Sequence, residues 1–204
     1  LKKVYRILSK QAKQQGVTCY RLYDRDLPEF PLIIDLYEDE VLVTEYRSNH
    51  RLSEEEYERW FTDSLEVIQH VLGKDPLQIH IKERKRKESR QDQYQKTDNQ
   101  QQYIEVGEGG LKFLVNLTDF LDTGLFIDHR ITRGMVAKQS AGKRVLNLFC
   151  YTGSFSVYAA QGGASEVVSV DLSNTYLDWA QKNMQLNNFT DQRYSYVKAD
   201  VLQW

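Results

Sequence analysis

From about residue 116 onward the chain alternates short β-branched runs with helix-periodic segments, and no other feature limits its fold as strongly. The pattern predicts a helix over 128–140, a strand over 144–149, a helix over 154–161, a strand over 167–171, a helix over 174–187 and a strand over 194–199. Strands separated by whole helices pair in parallel, with the helices as crossovers, so this half reads as an open α/β sheet. Val145, Leu146, Leu148 and Phe149 put apolar groups on both faces of the first strand, as a parallel strand buried on both sides requires.

The first 115 residues have a different rhythm. Leu1, Val4, Tyr5, Leu8 and Ala12 form the stripe of an amphipathic helix that Gly16 ends, and Lys2, Lys3, Arg6, Lys10 and Lys13 give it a solvated basic face. Three strands are expected over 18–23, 32–37 and 41–46, the last two as a hairpin. Ser53 followed by Glu56 is a capping box, opening a helix through Tyr57, Trp60, Phe61, Leu65, Ile68 and Leu72 to Gly73. A strand over 77–81 then runs into six basic residues against two acidic ones, Lys82, Arg84, Lys85, Arg86, Lys87 and Arg90 with Glu83 and Glu88, followed by a Gln-rich stretch over 91–102. This reads as a long hairpin arm that returns through 103–106, turns at Gly107, Gly109 and Gly110, and pairs again over 111–117. The expected organisation is an α+β accessory domain over 1–115, followed by part of a second domain over 116–204.

With 41% hydrophobic and 27% charged residues and a net charge of -2, the chain is globular rather than disordered. No apolar run approaches the roughly 20 residues of a membrane span, and no leader pattern is present, so a cytoplasmic location is expected. Cys19 and Cys150 cannot form a disulfide framework, and His50, His70, His80 and His129 share no metal-ligand spacing with them, so no metal is expected. A start at Leu1 without Met, and an end soon after a strand, read as a fragment whose partner is the remainder of its own polypeptide.

The chemistry concentrates where the strand over 144–149 breaks into a loop and re-enters a helix, since free backbone N–H groups at a strand's carboxyl end are the usual binding edge of such a sheet. Asp171 closes the next strand 24 residues beyond Asn147, where a carboxylate can accept both hydroxyls of a ribose. The loop has one of the three glycines of a G-x-G-x-x-G phosphate cradle, which favours a nucleoside without pyrophosphate over a dinucleotide. Asp200, just past the third strand, is placed for an adenine amino group.

The string Asn147-Leu148-Phe149-Cys150-Tyr151-Thr152-Gly153 resembles the first motif of class I S-adenosylmethionine-dependent methyltransferases; Asp171 resembles their ribose acid, and Asp200 their adenine contact. Residues 20–24 (YRLYD), 93–96 (QYQK) and 116–130 (NLTDFLDTGLFIDHR) are similar to the C-terminal half of the bacterial bifunctional 23S rRNA guanine methyltransferases. The resemblance implies the first half of a Rossmann-like methyltransferase domain, S-adenosylmethionine as cofactor, and methylation of guanine in 23S rRNA at N7. It also implies that Arg130 faces the methionine carboxylate and Asp128 its amino group, with Phe126 and Thr123 in the same pocket. Asn147 stands where the family commonly has an acid, and the Asn/Asp-Pro-Pro-aromatic motif of base methyltransferases is not in the sequence, so acceptor-side catalytic residues stay unassigned. In the implied strand order, strand 144–149 is central and would lack one neighbour here, leaving an exposed apolar edge.

Other readings stay open on the residues alone. Methylation of guanine N2, cytosine C5 or adenine N6 would use the same cofactor pocket. Cys150 lies in the cofactor loop rather than facing an acceptor, and reads as a small loop residue rather than a cytosine nucleophile; Cys19 reads as core, and His70 and His80 as packed or solvated. An RNA-binding module without catalysis is a further alternative, and the missing glycines speak against a nicotinamide dehydrogenase. The run from Lys82 to Arg90 is expected to grip RNA phosphates, with a solvated charge run as the plainer alternative.

Overall fold

The structure, a computed structural model, describes residues 1–46, 52–84 and 102–203. The chain divides into two compact units, the first comprising Leu1–Gln100 and Leu117–Leu121, the second Gln101–Asn116 and Asp122–Trp204. Among the described residues no helix is long and apolar enough to cross a membrane.

The first unit runs α1 (Lys2–Gln14), β1 (Cys19–Asp24), β2 (Leu32–Tyr37), β3 (Glu40–Tyr46), α2 (Glu54–Leu72) and β4 (Ile79–Arg84). Its sheet has the order β1-β2-β3-β4. The first three strands are antiparallel, as the β2–β3 hairpin pattern predicts. Strand β4 instead pairs in parallel with β3, which makes α2 a crossover. The capping box forms: Ser53 Oγ accepts from Glu56 N, and Glu56 Oε2 accepts from Ser53 N at 2.8 Å. At its far end Gly73 turns left-handed at φ +63° and donates to the Gln69 carbonyl. Leu22, Leu32, Ile34, Leu36, Val41 and Val43 of the sheet meet Ile68 and Leu72 of α2, and Tyr5 and Leu8 of α1 pack against the same cluster. Buried Asp35 is held bidentately by Arg21 on the neighbouring strand, at 2.8 and 3.1 Å.

Replacing Ser53 with Ala is expected to lower stability by about 1 kcal/mol, read by urea denaturation. The Ser53 amide and then its hydroxyl hold the Glu56 carboxyl below its ordinary range. A depressed carboxyl adds stability above the unfolded pKa and loses it as pH falls through the folded value; the Ser53 amide survives in Ser53→Ala, so both proteins should lose this contribution on acidification and most of the difference between them should persist.

The second unit contains β5 (Ile104–Glu108), β6 (Leu111–Val115), a 3-10 turn Ile127–His129, α3 (Arg130–Gln139), β7 (Arg144–Leu148), α4 (Ser154–Gln161), β8 (Glu166–Asp171), α5 (Asn174–Leu186) and β9 (Tyr194–Lys198). Strands β7, β8 and β9 form a parallel sheet in that order, with α4 against β7 and β8 and α5 against β8 and β9. Two expectations need correction. The strands flanking the basic arm do not pair with each other: β4 lies in the first sheet and β5 pairs with β6 through a turn at Gly109 and Gly110, with Gly107 inside β5. Strand β7 is covered on one face only. Val145 packs toward Ala159 of the helical layer, whereas Leu146 and Leu148 are 51% and 40% exposed, because among the described residues no element lies over that face.

The β5–β6 hairpin belongs to this second unit, so contacts place the division differently from a boundary near residue 115. The physical reason lies on α5. Asn187 accepts from Lys112 N at 2.9 Å and donates to its carbonyl at 2.7 Å, Asn183 accepts from Leu114 N at 2.9 Å, and Trp179 Nε1 donates to the Leu114 carbonyl at 3.1 Å. Side chains four residues apart on one helix face thus satisfy the open edge of β6, as another strand would.

Candidate active site

At the end of β7 the chain turns sharply, and Phe149, Tyr151 and Gly153 take φ of +54°, +52° and +71°. Left-handed backbone costs a non-glycine residue on the order of 1–3 kcal/mol and persists only where the surroundings enforce it. Here Cys150 N donates to the Val170 carbonyl at 2.9 Å, Gly153 N to the Cys150 carbonyl at 2.8 Å, and Tyr151 N to Asp171 Oδ2 at 2.9 Å. Buried Thr152 donates through its hydroxyl to the Gly124 carbonyl and accepts at its own carbonyl from Asn183 Nδ2 at 2.9 Å. Gly153 is packed so closely on α5 that a Cβ would lie 2.6 Å from that of Ala180. The loop therefore takes left-handed backbone at two non-glycine positions, at the cost of strain.

Asp171, only 8% exposed, ends β8 beneath this loop. Its Oδ2 accepts from Tyr151 N and its Oδ1 from Ser173 N at 3.0 Å, leaving each oxygen a further lone pair. A carboxylate oriented by two amides, with acceptor capacity on both oxygens, suits a vicinal diol. The Asp171 carbonyl accepts from Ala199 N, which brings Asp200 to the same sheet edge. Asp200 is exposed and accepts from Leu202 N at 3.0 Å, capping a turn.

Phe126, 48% exposed, lies with its ring 5.4 Å from Tyr151, and Tyr151 meets Tyr176 edge-on at 4.5 Å. Asp128 is exposed in the 3-10 turn, 3.9 Å from His129, and Arg130 opens α3 half-buried. Thr123 is buried, and its hydroxyl reaches the Leu125 carbonyl. Asn147 turns away from the loop: its amide donates to Ser156 Oγ at 2.9 Å, which meets Ser169 Oγ at 2.7 Å, so this side chain ties β7 to α4 and β8.

Burial, and secondarily Asp171, push the Cys150 thiol up to about 12. It is a protonated packing group at neutral pH. Neither Cys150 nor buried Cys19 should react with iodoacetamide at pH 8 until the chain is unfolded, and Cys150→Ala should retain methyl transfer. Rapid labelling of Cys150 in the folded protein, or abolished transfer in the variant, would restore the nucleophile reading.

In the first unit Lys82 donates to the Phe120 carbonyl at 2.6 Å, and Arg84 ends β4. Lys85, Arg86, Lys87 and Arg90 lie outside the described residues, as does the 93–96 segment. His80, for which spacing suggested no partner, sits 2.8 Å from Glu40. Sequence reasoning also missed Asn183, and the buried Glu108, Arg133 and Tyr158. Their partners are distant in sequence, and no local pattern marks them.

A parallel sheet with a strained, glycine-poor loop and an amide-held acid at its carboxyl edge is an open α/β arrangement whose candidate binding edge lies at the strand ends. The chain belongs to the S-adenosylmethionine-dependent methyltransferase family, whose model matches residues 33–204. It is 49% identical over 197 residues to ribosomal RNA large subunit methyltransferase K of Neisseria meningitidis serogroup B, covering 97% of this chain and 55% of that protein. It is 47% identical over 204 residues to methyltransferase K/L of Shewanella loihica, covering 100% of this chain and 29% of that one. Among solved structures it resembles SMU.776, assigned as a methyltransferase and complexed with SAH, with a TM-score of 0.78 and 27% identity over 99% of this chain and 52% of that one. The chain thus spans between about half and less than a third of the length of these relatives.

Proposed function

We propose that this chain carries the cofactor pocket of an S-adenosylmethionine-dependent methyltransferase of large-subunit rRNA, the K half of a K/L-type enzyme, acting on guanine N7 in 23S rRNA. The observation that carries the reading is Asp171, held by the Tyr151 and Ser173 amides at the sheet's carboxyl edge with acceptor capacity to spare. The residues fit the cofactor: Asp171 takes the ribose hydroxyls and Asp200 the adenine amino group. The loop residues Phe149, Cys150, Tyr151, Thr152 and Gly153 shape the floor, and Phe126 walls it with Tyr151. Arg130 suits a carboxylate and Asp128 an ammonium, while Thr123 steadies the turn beneath them. S-adenosylmethionine, when bound, supplies a methyl group on a sulfonium.

Guanine N7 has an in-plane lone pair, so no general base is required, and this chain's contribution is to hold and desolvate the donor. The protonated Cys150 weighs against cytosine C5 chemistry. The first, α+β unit is proposed as the accessory, RNA-holding part and residues 116–204, with the β5–β6 hairpin held on α5, as part of the methyltransferase domain, the remainder of its own polypeptide pairing along the open edge of β7. A cytoplasmic location accords with an rRNA substrate. Incubating the full-length protein with tritiated donor and undermethylated 23S rRNA, then resolving the nucleosides, should yield labelled 7-methylguanosine. Label on another nucleoside would move the acceptor assignment, and no label would remove it.

For the basic run, replacing Arg84, Lys85, Arg86 and Lys87 with Ala should flatten the slope of log affinity against log salt by up to about three units. Filter binding to rRNA fragments across a salt series reads this. An unchanged slope returns the run to solvent.

A further inference from the structure

We infer that the buried cluster of Glu108, Arg133 and Tyr158 is a positioning device for the cofactor pocket, an inference that rests on the pocket reading above. Arg133 of α3 and Glu108 at the end of β5 are both wholly excluded from solvent. Arg133 Nε donates to Glu108 Oε1 at 2.9 Å, and Nη2 reaches both carboxylate oxygens at 2.7 and 2.9 Å. Tyr158 of α4 donates to the same carboxylate at 2.9 Å, and its ring lies 5.8 Å from the guanidinium. Burial, then Glu108, raise the Tyr158 hydroxyl pKa, which keeps it a donor.

Apolar residues of equal volume often serve stability as well as a buried ion pair, so stability alone does not account for the cluster. The informative contact is the one that leaves it. Arg133 Nη1 donates at 2.8 Å to the carbonyl of Phe126, the residue whose ring packs on Tyr151 and which opens the turn carrying Asp128 and Arg130. A single guanidinium thus joins the hairpin and α3 to the segment beside the strained loop, and Tyr158 adds α4. Gly109 serves the same arrangement: a Cβ there would lie 2.8 Å from the Tyr158 hydroxyl. If this cluster sets the position of the 126–130 segment, losing the Phe126 contact should weaken the pocket beyond any loss of stability.

The test uses full-length protein, with S-adenosylhomocysteine titration, methyl-transfer kinetics and thermal unfolding in parallel. Arg133→Lys keeps a cation for Glu108, but one ammonium cannot span both Glu108 and Phe126. Glu108→Leu with Arg133→Met replaces the pair by apolar groups. Both should bind S-adenosylhomocysteine roughly tenfold more weakly. The KM for S-adenosylmethionine should rise in step, with kcat at saturation within about twofold of the parent. Val167→Ala, which opens the core near the start of β8 and touches neither the hairpin nor Phe126, should lower the unfolding midpoint while affinity stays at the parent value. Unchanged affinity in Arg133→Lys, or an equal affinity loss in Val167→Ala, would overturn the inference. If the apolar pair does not fold, Arg133→Lys alone decides. A parent protein that does not bind S-adenosylhomocysteine would instead remove the pocket reading itself.

Discussion

Replacing Asp171 with Ala is expected to weaken S-adenosylhomocysteine binding about a hundredfold, because two hydrogen bonds to a charged acceptor are lost at on the order of 3 kcal/mol together. The variant also strands the Tyr151 and Ser173 amides that now donate to this carboxylate. The loop would then lose one of the contacts that hold Tyr151 at positive φ. Asp171→Asn separates the two effects: it retains one acceptor oxygen and most of the shape, so it should fall between parent and Ala. Calorimetry on the full-length protein measures both. Affinity in Asp171→Ala equal to the parent would show that the ribose is held elsewhere.

The second large effect is structural in origin. Gly124 has φ of +95°, and a Cβ there would lie 2.2 Å from Cζ2 of Trp179, a ring that is 1% exposed and held by its bond to the Leu114 carbonyl. Gly124→Ala is therefore expected to destabilise the second unit by about 3 kcal/mol or more, combining overpacking with a disfavoured backbone. The Gly124 carbonyl accepts the Thr152 hydroxyl, so cofactor affinity should fall as well. Urea denaturation reads the first effect and calorimetry the second. Pairing Gly124→Ala with Trp179→Leu should recover part of the stability, a coupling that independent sites would not show.

Periodicity located β7, α4, β8, α5 and β9 to within a residue or two, because alternation of apolar strands with capped helices is a local property of the chain. Ser53, Glu56 and Gly73 likewise marked the ends of α2 from their own chemistry. What escaped the sequence depends on pairing at a distance. Nothing local says that β4 joins β3 in parallel, nor that Asn183 and Asn187 replace a strand along β6. The loop's position beside Asp171 was legible, and the Tyr151 amide joins the two. The loop's backbone was not, because a count of glycines overlooks Phe149 and Tyr151 held left-handed by their surroundings. Asn147 illustrates the converse: its place in the motif suggested the pocket, but its amide is committed to Ser156 in the interior.

If the cofactor sits over the ends of β7 and β8, hydrogen exchange of the full-length protein with and without S-adenosylhomocysteine should show added protection at residues 149–153 and 171–173, with a smaller gain over 126–130, and none on adding NAD. Protection confined to other segments, or protection by NAD and not by S-adenosylhomocysteine, would contradict this placement.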